Sequence, residues 1–194
     1  MRRRLLGNDH LDVSATLVYI GTILYRKSVF SVAIELFSES LRIRKTALGN
    51  DHRDVAFVLY NIALVHQQRG CHDEAIESYS ETLRIEKLVL GENHRDVSMT
   101  LFKLGEVHKA AGALEEALKC FQNSLAVERS LPSSSANNAS VPPKTVDSSQ
   151  RRPQQQPTTG PDHAAMARAL NEIENIHLAR GDVVPIMQAF NKPV

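Results

Sequence analysis

Apolar residues recur along the first 131 positions at spacings of three and four. This spacing places their side chains on one stripe of an α-helix and predicts that the stripe is buried against another helix. The stripes of the first two predicted helices consist of Leu17, Ile20 and Leu24, and then of Ala33, Ile34, Phe37 and Leu41. We therefore predict an all-α chain built from paired helices.

The first helix pair belongs to a sequence repeat with a period of 42 residues. Residues 6–13 read LGNDHLDV, residues 48–55 read LGNDHRDV and residues 90–97 read LGENHRDV. Residues 6–47 and 48–89 are identical at 18 of 42 positions, and residues 48–89 and 90–131 at 14. Because chance would give far fewer identities, each 42-residue unit is predicted to be one helix–turn–helix.

Small residues and glycines mark the turns and close contacts of these units. The predicted turn between the two helices contains Ser28, Gly70 or Gly112, and a Leu-Gly pair ends each second helix. Glycine is the usual left-handed terminator of a helix, and a following Asp or His offers a side-chain cap for the next one. The small residues that allow a neighbouring helix to approach the first helix closely are Gly21, Ala63 and Gly105.

The second helix of each unit carries an alanine and, four residues later, an aromatic residue: Ala33 and Phe37, Ala75 and Tyr79, Ala117 and Phe121. Together with the small residue of the first helix, this pattern resembles the tetratricopeptide repeat (TPR) family. The family's usual unit has 34 residues, and the longer unit over residues 5–131 resembles the repeats of kinesin light chains. The resemblance implies an α-α superhelical solenoid.

The repeat also defines the domain organisation. Residues 1–131 are predicted to hold three units, preceded by the tail of a truncated unit; the chain is therefore expected to be a fragment, or to pair its first face with another element. Residues 132–161 contain six of the eight prolines and are predicted to be a disordered insert. Residues 162–194 realign with the second unit at an offset of 111, so a degenerate fourth unit is predicted to cap the stack.

Composition narrows the range of partners and locations. The chain carries 23 Lys+Arg against 22 Asp+Glu, whereas proteins that bind nucleic acid through phosphate contacts normally show a basic face. No apolar run approaches the roughly 18–20 residues of a membrane-spanning helix. Two cysteines, Cys71 and Cys120, cannot make a disulfide framework, and no signal-peptide core follows the basic N-terminus. We expect a cytoplasmic protein with reduced thiols, no nucleic-acid partner and no membrane span.

Catalytic and metal motifs are not found in the sequence. It contains no phosphate-binding glycine loop, GxSxG, HExxH or kinase motif, so neither an enzyme nor a cofactor is expected. His10, His52, His94 and His163 occupy one equivalent place in four units and are predicted to be helix caps. Neighbouring helices lie about 8–10 Å apart, too far for such periodic residues to share one zinc ion. Histidines on the apolar stripe are predicted to pack; these are His66, His108 and His177.

The TPR resemblance implies that the first helices line a concave groove. The predicted groove residues are Tyr19, Tyr25, Arg26, Phe57, Tyr60, Asn61, Leu64, Gln67, Gln68, Phe102, Lys103, Glu106 and Lys109. Protein interfaces favour aromatic residues and Arg, although Phe57, Tyr60 and Phe102 could instead fill gaps between adjacent helices. Asn61 precedes the pair Ile62-Ala63, as in many kinesin-light-chain-like repeats. Its amide could bind a peptide backbone, or it could instead be solvated or lie between helices.

The sequence therefore predicts a non-catalytic scaffold that binds a peptide or helix of a partner protein. The resemblance implies a kinesin-light-chain-like cargo adaptor whose partner is a cargo or a motor complex. The alternative is a regulatory TPR segment of a larger signalling protein or enzyme whose catalytic part lies outside this chain.

Overall fold

The computed structural model describes residues 7, 9–131 and 162–181, and within these segments it contains seven α-helices and no strand. The helices are α1 (Leu11–Arg26), α2 (Phe30–Leu48), α3 (Arg53–Arg69), α4 (His72–Leu90), α5 (Arg95–Ala110), α6 (Leu114–Ser130) and α7 (His163–Arg180). Consecutive helices pack against each other, which confirms the all-α solenoid. Most of the predicted truncated tail, the insert over 132–161 and residues 182–194 of the fourth unit lie outside the described residues.

Histidine side chains cap the first helix of each 42-residue unit. The Nδ1 atoms of His10, His52 and His94 accept hydrogen bonds from the backbone N–H two residues later, at 3.1, 3.0 and 3.1 Å. The same role predicted for His163 is wrong. Asp162 caps α7 instead, because its Oδ1 accepts from the N–H groups of Ala164 and Ala165, and His163 becomes the first helical residue.

The predicted turns are confirmed, with one difference in conformation. Gly70 and Ser28 have positive φ angles of 72° and 60° between the two helices of their units. Gly49 ends α2 as predicted, but with φ 85° and ψ 167° it is extended rather than left-handed helical. Only glycine adopts this backbone region readily. The Leu-Gly pair therefore predicted the end of the helix correctly, although the glycine does not have the left-handed helical conformation that was expected.

The core is a row of aromatic rings, each enclosed by three helices. Tyr79 of α4 is fully buried and packs with Ala63 of its own unit and with Leu104 and Val107 of the next. Phe37 is enclosed in the same way by residues of α3, and Phe121 by Ile176 of α7. The ring positions predicted from the alanine–aromatic pattern thus join each unit to the following one.

The first helix of the fourth unit packs on the third unit. Ile173 and Ile176 contact the Ala117–Phe121 cluster of α6. The backbone N–H of Asp162 donates to Glu128 Oε2 at 3.2 Å. These contacts place α7 where the stacking prediction requires it, after the 30 residues that separate Leu131 from Asp162.

The second helix of each unit carries a buried ionisable residue at one equivalent position. The identity and the hydrogen bonds of this residue differ from one junction to the next. Arg44 is buried, with its guanidinium donating to Ser14 Oγ at 2.8 Å and to the Asp54 carbonyl oxygen at 3.0 Å. The equivalent residue Glu86 is buried, with Oε2 lacking a hydrogen-bond partner. Burial raises the pKa of Glu86 to about 7. Glu128, the third equivalent, accepts the hydrogen bond from Asp162 described above.

Candidate functional site

The first helices lie side by side along the stack. Contacts join α1 to α3. Gln67 of α3 reaches Glu106 of α5, and Lys109 of α5 pairs with Glu172 of α7 at 2.5 Å. We call the surface that the predicted groove residues form on α1, α3 and α5 the first-helix face. Its side chains meet across unit boundaries, so it is continuous over at least the second, third and fourth units.

A chain of hydrogen bonds links three of the predicted groove residues. The Tyr79 hydroxyl donates to Gln67 Oε1 at 2.9 Å, and Gln67 Nε2 donates to Glu106 Oε2 at 3.4 Å. Lys103 Nζ donates to the same carboxylate oxygen at 2.8 Å. The polar groups of this region therefore satisfy one another before any ligand arrives. A ligand that uses them must replace bonds already made within the protein.

The half-buried aromatic residues of the face pack against rings of the second helices in tilted or edge-on orientations. Ring centroids are 5.5 Å apart for Tyr60 and Tyr79, and 5.2 Å apart for Phe102 and Phe121. Tyr25 lies 6.1 Å from Phe30. Burial raises the pKa of Tyr60 to about 12, so its hydroxyl stays protonated at physiological pH. The gap-filling alternative is thus observed for Tyr60 and Phe102, whose remaining exposed edges form part of the surface.

Other predicted residues point more fully to solvent. Tyr19 is 70% exposed and Phe57 38%. Met99, the third-unit equivalent of Phe57, is 46% exposed. Arg26, Gln68 and Lys109 are also exposed, whereas Leu64 is half-buried beside the Tyr79 cluster. The exposed apolar side chains among them give the first-helix face an apolar character between its polar contacts.

Asn61 is half-buried on α3, and its amide is already engaged. Its Nδ2 donates to the carbonyl oxygen of Phe57, one turn earlier, at 2.6 Å. A peptide backbone that takes a hydrogen bond from this amide would have to compete with that local bond. The side-chain oxygen is the acceptor that a ligand N–H could use.

Two residues of α7 join the face although neither was among the predicted groove residues. The Arg168 guanidinium lies 5.9 Å from the centre of the Phe102 ring, within cation–π distance. Glu172 pairs with Lys109. The repeat offset of 111 aligns Arg168 with Phe57 and Glu172 with Asn61. Both residues could therefore have been predicted from the alignment of the fourth unit with the second.

The three histidines on the apolar stripe, His66, His108 and His177, are half-buried. His66 is half-buried near the end of α3, and its Nδ1 atom is buried without a hydrogen-bond partner. Burial lowers the pKa of His66, which favours the neutral ring. A neutral imidazole with a nitrogen lacking a partner retains the capacity to bind a proton donor or a cation.

Comparisons with known proteins agree with this geometry. A family model for the tetratricopeptide repeat matches residues 12–70 and 54–130. No curated protein matches the sequence with significance. In the described part of the chain, none of the helices combines the length and the hydropathy needed to cross a membrane.

Solved structures share the fold at low sequence identity. BtubC (BKLC) from P. vanneervenii aligns with a TM-score of 0.68 and 17% identity over 89% of this chain. The chain spans 59% of the length of BtubC. A kinesin-light-chain-type protein of Podosopora anserina with nearly identical TPR-like repeats gives a TM-score of 0.68 and 17% identity, over 94% of this chain and 74% of that one. The fold predicted from the 42-residue repeat is thereby confirmed.

Proposed function

Because the chain belongs to the tetratricopeptide repeat family, we propose that it is a non-catalytic scaffold that binds a partner protein along the first-helix face. The observation that carries the proposal is the continuity of this face across units, through Gln67–Glu106 and Lys109–Glu172. A continuous surface on parallel rows of helices suits an extended peptide or one amphipathic helix of the partner.

The chemistry of the face supports a ligand with spaced apolar side chains. Phe57 and Met99 offer exposed apolar surface on neighbouring helices. Aromatic residues and Met are enriched at the centres of protein interfaces. Asn61 lies on the same helix as Phe57 and can accept a hydrogen bond from a ligand backbone.

A kinesin-light-chain-like role is the more specific form of this proposal. The 42-residue unit and the shared fold with a kinesin-light-chain-type protein support it. The ligand would then belong to a cargo or to a motor complex, and the protein would act in the cytoplasm.

The second candidate is a regulatory segment within a larger repeat array. Ile20 and Ile23 of α1 are 42% and 39% exposed, whereas the equivalent residues Ile62 and Val65 of α3 are 7% and 0% exposed. In α3 these positions are covered by the preceding second helix. A further helix over α1 would restore the same burial, which favours a longer array in which these units serve a catalytic part outside the chain.

The proposal is tested with two matched double variants. Phe57→Ala with Asn61→Ala alters the first-helix face at half-exposed positions and avoids Tyr60, whose ring packs on Tyr79. Leu88→Ala with Val89→Ala removes exposed apolar surface from α4 and serves as the control. Partners captured by the immobilised wild-type chain are identified by mass spectrometry, and their affinities are then measured with purified components.

We expect the face variant to bind a partner at least about tenfold more weakly, as truncation of central interface residues does. The control variant should bind like the wild type, and both variants should melt cooperatively. Equal binding by the wild type and the face variant would place the interface elsewhere.

A further inference from the structure

Three metal-ligating side chains meet at the turn between α3 and α4. One ligand atom each of His66, Cys71 and Glu74 lies within 4.8 Å of the other two. His66 is in the last turn of α3, Cys71 precedes α4, and Glu74 is in the first turn of α4. The cluster lies outside the residues assigned to the first-helix face.

The backbone of the turn places these side chains together. The N–H of Gly70 donates to the Gln67 carbonyl at 3.1 Å, and the N–H of Cys71 donates to the His66 carbonyl at 3.0 Å. This pair of bonds, with Gly70 left-handed, is a Schellman motif. In that motif the side chain after the glycine lies against the residue five positions earlier. The Cys71 thiol is therefore held beside the His66 ring by the fold itself.

The donor set fits zinc. Thiolate, imidazole and carboxylate are the ligands that Zn²⁺ takes in proteins, at about 2.0–2.3 Å and in tetrahedral geometry. Such bond lengths need ligand atoms roughly 3.5 Å apart, so the widest separation here must shorten by about 1 Å. Glu74 is exposed and can rotate to do so, and solvent can supply the fourth ligand.

His66 brings an independent observation. Its Nδ1 atom is buried and has no hydrogen-bond partner, although buried polar atoms are normally paired. The Cys71 sulfur and a Glu74 carboxylate oxygen lie within 4.8 Å of one nitrogen of the same ring, so a bound cation would give this imidazole a partner. We propose that His66, Cys71 and Glu74 form a Zn²⁺ site that joins α3 to α4.

The other units provide built-in comparisons. The third unit has His108 and Glu116 at the equivalent positions but Ala113 in place of the cysteine. Its turn has the same backbone bond, from the N–H of Ala113 to the His108 carbonyl at 2.9 Å. In the first unit all three ligands are replaced by apolar residues: Leu24, Val29 and Val32. Among the first three units, only the second thus carries all three ligands, and a single substitution would complete the set in the third.

The experiment uses the full chain with reduced thiols and Zn²⁺ or Co²⁺ as the only probe. Titration calorimetry gives the stoichiometry and affinity for zinc, and the thiolate-to-cobalt charge-transfer band shows whether sulfur binds the metal. The variants are Cys71→Ala, which copies the third unit, and Ala113→Cys, which adds the missing ligand there. Cys120→Ser, which takes the residue found at Ser78 of the second unit, controls for the other thiol.

We expect the wild type and Cys120→Ser to bind one Zn²⁺ with a cobalt–thiolate band. Cys71→Ala should lose the band and bind zinc at least about tenfold more weakly, since loss of even an outer-shell partner of a metal ligand costs 10–100-fold. Ala113→Cys should bind two zinc ions. Zinc should raise the melting temperature of the wild type more than that of Cys71→Ala. Wild-type binding retained in Cys71→Ala, no saturable binding by the wild type, or no second ion in Ala113→Cys would overturn the proposal.

Discussion

In the first and third units, a glycine of the first helix lies directly against the aromatic ring of the second. A Cβ atom added at Gly105 would lie 2.8 Å from Phe121 Cε1, and one added at Gly21 would lie 2.7 Å from Phe37 Cε1. The second unit accommodates Ala63 against Tyr79 instead. The helix spacing is therefore set by single methyl groups at this contact.

Gly105→Ala should destabilise the protein, although alanine normally stabilises a helix interior by about 1 kcal/mol relative to glycine. The expected clash costs about 1–3 kcal/mol, so we predict a net loss of up to about 2 kcal/mol in the free energy of unfolding. Denaturant melts measure the change. In a Phe121→Leu background, where the ring is absent, the same substitution should become neutral or stabilising. Stabilisation in the wild-type background would show that the contact is looser than described.

Glu86 gives the stability a pH dependence of known sign. Its pKa rises from an ordinary value of 4.5 to about 7 because burial penalises the charged form. The folded state therefore holds a proton that the unfolded state has released between these values. This stabilisation is fully present below about pH 4.5 and is lost as the pH rises through 7.

Glu86→Gln should equal the wild type in stability at pH 4 and exceed it by about 1–3 kcal/mol at pH 8. Melting curves of both proteins across this range measure the difference. The exposed Glu77→Gln on the same helix is the control and should show no such trend. A constant difference between Glu86→Gln and the wild type at all pH values would contradict the raised pKa.

At the scale of elements, α7 shows how one helix docks through a small apolar area. Ile176 is 1% exposed within the α6 cluster, whereas Leu178, two residues later, is 67% exposed. Ion pairs of Lys109 with Glu172 and of Arg180 with Glu115 flank the contact. Exposed pairs of this kind contribute little, so the apolar contact dominates the docking energy.

Ile176→Ala should cost about 2–5 kcal/mol at this contact and release α7 before the rest of the stack unfolds. Hydrogen exchange is expected to accelerate across α7 while α1–α5 retain their protection. Leu178→Ala in the same helix should leave the protection of α7 unchanged. Equal effects of the two substitutions would indicate that Ile176 does not anchor the helix.

The helix boundaries and the core could be predicted from the sequence because the same packing pattern occurs in three successive units. Ala75 and Tyr79 were placed correctly from spacing alone. The cap of α7 was not, because Asp162 and His163 can both cap and a shift of one residue decides between them. The hydrogen bonds that link Tyr79, Gln67 and Glu106 could not be predicted from the sequence, because they depend on the rotation of one unit relative to the next. The contact of Cys71 with His66 required the geometry of the Gly70 turn.

At the scale of the whole molecule, the described units interact almost entirely with their neighbours along the stack. In such quasi-one-dimensional proteins, the total stability is close to a sum of unit terms and junction terms. The fold therefore constrains the residues at the two junctions of each unit more strongly than it constrains pairs of residues in units that are far apart. Substitution of an exposed residue of the first-helix face, such as Tyr19, is expected to leave these junctions intact.

The buried positions occupied by Arg44, Glu86 and Glu128 have a consequence for the order of the units. The first junction needs a carbonyl and carboxylate to receive a cation. The second encloses the Glu86 carboxyl group, whose pKa burial raises to about 7, and the third provides an acceptor for a backbone N–H. Shuffled chains in which the first and third units trade places would set Glu128 against the Asp54 oxygens and Arg44 against the Asp162 N–H, so that acceptors meet acceptors and donors meet a donor. The repeats look interchangeable in sequence, but their buried ionisable residues limit the order in which the units can follow one another.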